Sequence, residues 1–395
     1  MKILVIPTTD WVGHPVLERQ HHLFEYIAQK HEVHVLRFKY YDKKNLTTAT
    51  TVHETNERMT DSLALFYTIN AAKHKQSIQR IVKENKIEAV VLSNVLPALT
   101  SINELHKKVP IVFDLSDHFP SSGAGYLFNV RSPLGKLAVR SLEMILKYVL
   151  TRSHLTVTCS QPLSDYARRL GAPRVTIIPN GVSDHFLQNY DGAAVRNMYG
   201  LGNAVVIGFV GMIEFWLNTL PLLQAIKDLK GSMNLKLFIV GKYFQTKSEF
   251  DIKRRIEDLQ ISENVVWSNG FVPYKDLPSY ISAMDICTIP FDHTHPTAYY
   301  SAPNKLWEYL ALQKPVMCTP LPDVLACAKS YVNIATRRED YTKIIQDYAT
   351  NPHHYLDRAK SSRETVLKRT WVELAKEYEK TLHSLIDSHP TLRGG

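Results

Sequence analysis

The sequence predicts an α/β fold of two doubly wound parallel-sheet domains, and three features carry that prediction. Short apolar runs alternate with helix-length segments, as crossover connections between parallel strands require. The alternation occurs twice, with turn-rich chain between the two series. A chain of 395 residues is also too long for one ordinary core. In order, the first series places strands at 3–7, 33–38, 89–93, 111–115, 155–159 and 175–179, with helices such as 16–29, 61–84 and 134–150 between them. The second places strands at 205–211, 235–241, 265–269, 286–290, 316–320 and 331–335. The expected division is a first domain over 1–185, a linker over 186–203, a second domain over 204–369, and a closing helix with a frayed tail over 370–395.

Hydrophobic residues make up 45% of the chain and charged residues 22%, which describes a water-soluble globular protein. No apolar run is long enough to span a bilayer, and the opening KILVIP is a strand without a signal-peptide pattern. Four scattered cysteines show no metal-ligand spacing and fit buried thiols in a reducing cytosol. The expected location is therefore cytoplasmic. The net charge of +9 suits a polyanionic partner: nucleic acid, an anionic membrane face or a phosphorylated substrate. No nucleic-acid-binding motif is present, so nucleic acid is not the expected partner.

The most informative stretch runs from Asp285 to Pro320. A buried strand leads into a polar loop rich in His and Tyr, then a helix, then a second strand. Ser301 is the expected N-cap, with Pro303 in the first turn where its missing N–H costs nothing. Ligands of such sheets settle beyond the carboxyl ends of strands, and a helix N-terminus there attracts anions. The amides around Ala302, Pro303, Asn304 and Lys305 can hold a phosphate, and Lys305 adds positive charge. Glu308 lies about 6 Å further along the axis, where a ribose attached to that phosphate would donate both hydroxyls to it. The bland alternative is a solvated i,i+3 pair on an ordinary amphipathic helix.

The segment PNKLWEYLALQKPV resembles the nucleotide-sugar signature of the family 4 retaining glycosyltransferases of the GT-B fold, and VTIIPNGVSDHF resembles the end-of-first-domain motif of that family. The resemblance implies two Rossmann-like domains facing across a cleft and a nucleoside-diphosphate sugar held by the second. It also implies a glycan or lipid-linked glycan acceptor presented by the first, and no bound metal or other cofactor. It gives Glu308 the donor ribose. The family often has a second Glu upstream, where this chain has Tyr300. The usual Arg and Lys that clamp the diphosphate are replaced by Met212 and Asn218, beside Gly208 and Gly211 at a strand end. Some bacterial and archaeal relatives share the Trp216 to Asn218 spacing. Either Lys305, Lys242 and the helix amides supply the positive field, or the donor is held weakly. Phe271 and Val272 are candidates to pack on the nucleobase, or make an ordinary edge contact.

In the first domain, Gly13, His14 and Arg19 sit in and after the loop 8–15, which in GT-B enzymes lines the site near the acceptor and donor phosphates. Read alone, that loop is a plain strand-to-helix turn. Asp114, Asp117 and His118 follow the fourth strand; a His beside carboxylates serves as a base, a positioning group or a metal ligand, against simple loop capping. The resemblance assigns the acceptor side to His118 first and Asp117 second; the run 121–125 that follows reads as a mobile loop, a candidate acceptor gate. The helix 134–150 has an apolar face and Lys136, Arg140 and Lys147 on another. Core packing with a solvated charged face is one account of it; peripheral attachment to the inner face of an anionic membrane, suited to a lipid-linked acceptor, is the other. Two rivals stand beside the transferase: a nucleotide-sugar epimerase of the same fold, and a silent nucleotide-sugar-binding protein.

Overall fold

The computed structural model describes residues 1–14, 16–40, 46–55, 57–60, 62–241, 247–268, 270, 272–392. The chain divides into two units, Met1–Pro179 with Trp371–Gly395, and Asn180–Thr370.

The first unit holds a seven-stranded sheet: β1 (Lys2–Ile6), β2 (Glu32–Leu36), β3 (Thr51–His53), β4 (Ala89–Leu92), β5 (Ile111–Leu115), β6 (Leu155–Thr158) and β7 (Val175–Ile177), in the order β3-β2-β1-β4-β5-β6-β7. Every neighbouring pair is parallel. Helices cover the sheet, so β1, β4 and β5 are buried along nearly their whole length. The last helix, Trp371–Asp387, belongs to this unit: Trp371 stacks on His22, Tyr378 meets Phe24 edge-on, and Leu374, Leu382 and Leu385 complete the core formed by Ile3, Val5 and Leu23. His31 Nε2 lies 2.7 Å from Glu379 Oε1 at the far end of the same contact.

The second unit holds six parallel strands: β8 (Val205–Val210), β9 (Leu235–Val240), β10 (Val265–Trp267), β11 (Ile286–Ile289), β12 (Val316–Cys318) and β13 (Asn333–Ile334). Their order is β10-β9-β8-β11-β12-β13. The order reverses between β8 and β11, so the connections leaving those two strands diverge and leave a crevice at their carboxyl ends.

Two expectations change here, and one glycine finds its role. The stretch 186–203 is part of the second unit: it carries the helix Ala193–Met198, and Phe186, Val195 and Leu201 are buried in that unit's core. The helix expected over 61–84 is two helices, Leu63–Ile69 and Ala71–Glu84, broken at Asn70. The buried Asn70 amide donates to Arg58 O and Phe66 O, backbone acceptors that compete with continued helix. Gly208 serves packing: a Cβ there would lie 1.9 Å from Met284 Sδ and 2.9 Å from Met284 Cβ. Gly208→Ala should therefore destabilise the second unit by about 1–3 kcal/mol through overpacking; chemical denaturation with an unchanged midpoint would show that the core yields at no cost.

Candidate functional site

The helix Asn304–Ala311 is capped by Pro303, with φ −69° and ψ 117°. Ser301 is not its cap. The Ser301 hydroxyl donates to Ala298 O at 2.7 Å and closes the short preceding helix Pro296–Tyr299. A proline disfavours helical backbone in the residue before it, so the longer helix cannot start earlier than Pro303. Asn180 fixes this start from elsewhere in the unit: its buried amide donates to Ala302 O at 2.7 Å. The IIPNGV turn thus holds the chain that leads into PNKLWEYLA. At the other end Gln313 adopts φ +56°, and Lys314 N bonds to Tyr309 O, a Schellman closure made without glycine. Tyr309 also accepts from Val210 N at 2.9 Å, tying the helix to the end of β8.

Inside this frame Glu308 is nearly buried, and Tyr274 donates to its Oε1 at 3.2 Å. Burial pushes the Glu308 carboxyl up to about 7, with the neighbouring Lys305 charge and the Tyr274 bond opposing. Lys305 is half-buried and is lowered to about 8, burial again leading and Glu308 opposing. Its Nζ sits 4.6 Å from the ring centre of Phe209, within β8, and 5.1 Å from that of Phe291, just after β11, on either side of the reversal. Gly211 makes this placement possible. It has φ +128°, and a Cβ there would lie 2.9 Å from Lys305 Nζ. Lys305, Gly211 and Glu308 are therefore brought to one strand end, with the free start of the helix beside them.

The loop after β8 holds the two residues that stand in the places of the family's clamp. Met212 and Asn218 are both exposed. Asn218 N bonds to Pro290 O, and Asp292 N to Trp216 O, so this loop is pinned to the segment after β11 by backbone. The sequence reading passed over Glu214, whose half-buried carboxyl is raised to about 7 by burial. Tyr300 is half-buried against Tyr299, while Asn304 is exposed at the helix start. Val272 packs on the unit's core, which favours the ordinary edge contact. Lys242 and Phe271 lie outside the described residues.

In the first unit His118 is buried and caps the helix Phe119–Gly125, its Nδ1 accepting from Ser121 N at 3.3 Å, with its ring against Tyr166. The run expected as a mobile gate, 121–125, is part of that helix. Asp117 is exposed and accepts from the Ser122 hydroxyl at 2.8 Å. Gly13 donates its amide to Asp10 Oδ1 at 3.0 Å, and the same buried carboxylate pairs with Arg37. His14 Nδ1 lies 2.8 Å from Val16 O. Arg19 differs from the expectation that placed it at a phosphate. It is buried, its Nε lies 3.3 Å from Asp114 Oδ1, and its Nη1 and Nη2 donate to Pro179 O and Ile178 O at 2.8 and 2.7 Å. The reason is Asp114: a carboxylate at full burial needs a cation, and Arg19 is that cation.

Comparison with known proteins agrees with the geometry. A family model described as glycosyl transferases group 1 matches residues 204–347, and one described as glycosyltransferase family 4 matches residues 20–186. The chain is 26% identical over 245 residues to a protein of Bacillus subtilis named as a putative teichuronic acid biosynthesis glycosyltransferase, TuaH; the match spans 60% of this chain and 57% of that relative. Among solved structures, sucrose-phosphate synthase from Thermosynechococcus elongatus superposes with a TM-score of 0.80 at 15% identity, over 98% of this chain and 99% of the other. Anabaena HepE in complex with UDP and glucose superposes with a TM-score of 0.73 at 16% identity, over 97% and 100%.

Two substitutions test the frame. Asn180→Ala should lower the stability of the second unit by about 1–3 kcal/mol, because it leaves the Ala302 carbonyl without its donor; an unchanged denaturation midpoint would show that the bond is dispensable. Arg19→Met should cost the first unit about 3–5 kcal/mol by stranding Asp114, and the double variant with Asp114→Leu should recover much of that loss.

Proposed function

The chain belongs to the family 4 glycosyltransferases of the GT-B fold, and from that premise we propose that it moves a sugar, with retention at the anomeric carbon, from a nucleoside-diphosphate sugar to a glycan or lipid-linked glycan. The observation that carries this reading is the pairing of Lys305 and Glu308 at the start of one helix, beside Gly211 and next to the strand-order reversal. The diphosphate would lie on the amides at the start of Asn304–Ala311 with Lys305 against it. The ribose hydroxyls would donate to Glu308 while Tyr274 holds that carboxylate from the protein side. The relative from Bacillus subtilis is named for teichuronic acid biosynthesis, which supports a polysaccharide or glycoconjugate product. HepE is described with UDP, so UDP-sugars head the donors to be tried.

In the retaining step, the bond from the anomeric carbon to the diphosphate breaks, the acceptor oxygen bonds to the same face, and the departing phosphate oxygen takes the acceptor proton. No protein nucleophile is required. The chain's part is to offset charge growing on the diphosphate and to keep two reactants aligned. Lys305 and the helix amides do the first. His118, and after it Asp117, are assigned to orient the acceptor hydroxyl, with Gly13 and His14 in the neighbouring loop. The step assigns no role to a metal, so turnover should persist in EDTA.

One feature of the chain favours a second reading, a protein that binds nucleotide sugars without turning them over: Tyr300, Met212 and Asn218 occupy the places where the resembled family often carries Glu and typically Arg and Lys. Incubation with a panel of nucleotide sugars separates the readings. Acceptor-dependent release of free nucleotide supports transfer; an isomerised donor supports the epimerase; binding alone supports the silent protein.

Glu308→Gln should weaken donor binding by about 2 kcal/mol, roughly thirtyfold, with the fold intact, and unchanged affinity would contradict the ribose role. His118→Ala should lower turnover more than donor affinity; normal turnover would remove His118 from the site. Donor affinity should also peak in a narrow window. Below about 7 Glu308 gains a proton and loses acceptor capacity, and above about 8 Lys305 loses its charge. Titration calorimetry across pH should show both limbs, Glu308→Gln removing the acid limb and Lys305→Met the alkaline one.

A further inference from the structure

The segment that follows the helix Phe119–Gly125 carries a row of large apolar side chains into water. Tyr126, Leu127 and Phe128 are all exposed, Leu127 at 79%. The helix Pro133–Leu150 continues the row with Leu134 at 67%, Leu137 at 63% and Met144 at 64%. Spacings of three and seven place those three on one stripe. The opposite side, with Gly135, Leu146, Val149 and Leu150, is the one packed into the first unit. Apolar residues exposed singly are unremarkable, but six within one short segment form a patch of the kind that marks an interface.

The tip is held in place. Ser132 N and Oγ both donate to Asn129 O, and the Ser132 hydroxyl accepts from Gly135 N as the helix cap. A Cβ at Gly135 would lie 2.0 Å from Asn129 O, so glycine there is what lets the loop rest on the first turn.

Charge indicates what covers the patch. Lys136, Arg140 and Lys147 are exposed on the face beside the apolar stripe and make no ion pair among the described residues, and Glu143 is the single acid on that helix. A protein partner of ordinary composition does not call for unpaired cations flanking an apolar tip. An anionic bilayer does: apolar side chains enter the boundary between headgroups and chains while the long cationic ones reach lipid phosphates. No described helix is long and apolar enough to cross a membrane, so this contact would be with one face of it.

We propose that the tip at Tyr126–Phe128, with the stripe of Leu134, Leu137 and Met144, seats in the surface of an anionic lipid bilayer and that Lys136, Arg140 and Lys147 bind its headgroup phosphates. His118 caps the seven-residue helix that ends where the tip begins, about 10 Å along that helix axis. If the proposed transferase reading holds, this deepens it, because an acceptor anchored in the same bilayer would be the class served.

Sedimentation of the full chain with phosphatidylcholine vesicles, with and without phosphatidylglycerol, tests the proposal. Binding is expected only with phosphatidylglycerol and should weaken with added salt. Leu127→Asp combined with Leu134→Asp, and separately Lys136→Glu combined with Arg140→Glu, should each reduce it roughly tenfold or more at an unchanged Tm. Equal partition into neutral vesicles, no partition at all, or undiminished binding by both variants overturns it. So does a dimer in sedimentation equilibrium that the same variants dissociate. Nucleotide-sugar turnover in detergent should be unaffected by either variant; vesicle binding without any turnover would count against the transferase reading alone.

Discussion

Keeping one carboxylate out of water is the constraint around which the second unit is built. Glu308 sits on the buried side of a short helix, between Trp307 and Tyr309, and its neutral form is favoured almost to physiological pH. A group in that condition is readily protonated, and its charged form gains when a ligand brings hydroxyl donors to it. Its surroundings act together. Tyr274 supplies one donor, Lys305 supplies opposing charge a turn away, and the helix is fixed at its start by Asn180 and at its side by Tyr309. Because Lys305 is itself weakened as a cation by burial, the two groups are poised close to neutrality. A bound diphosphate sugar would drive both toward their charged forms, so ligand and protein each supply what the other lacks.

The first unit solves a parallel problem in the opposite way. There the buried acid, Asp114, has a committed partner in Arg19, which also gathers two backbone carbonyls beyond β7. Asp10 and Arg37 repeat the arrangement under the loop after β1. These pairs are made within the unit, beneath and beyond its strand ends. The contrast distinguishes frame from site: in the frame buried charges are matched internally, while near Glu308 the match is incomplete.

Much of the fold was legible because parallel strands buried on both faces leave apolar runs, and twelve of the thirteen strands among the described residues were anticipated that way. The exception, β3, reads Thr-Val-His at a sheet edge, too short and too polar to register. Glu308 and Lys305 were legible since helical spacing and the family motif converge on them. Ser301 misled, because a hydroxyl before a proline looks like a cap whether it closes the helix ahead or the one behind. Arg19 misled in another way, since nothing in its neighbourhood of sequence announces Asp114 or the carbonyls of Ile178 and Pro179. The contacts from Asn180 to Ala302 and from Tyr274 to Glu308 span long separations in sequence, and no spacing rule reaches that far. Glu214 was missed because an acid in a loop carries no signal until its burial is known.

The return of the chain to its starting unit has a consequence for biosynthesis. The first unit's core includes Trp371, Leu374, Tyr378 and Leu382, which are made only after the whole of the second unit. A nascent chain that has completed its first seven strands still exposes the apolar groove those residues fill, and the second unit can close before the first does. Quality-control factors that bind greasy surfaces therefore have a longer opportunity on the first unit than on the second, and a premature stop codon ahead of residue 371 would injure the first unit although its seven strands had all been made.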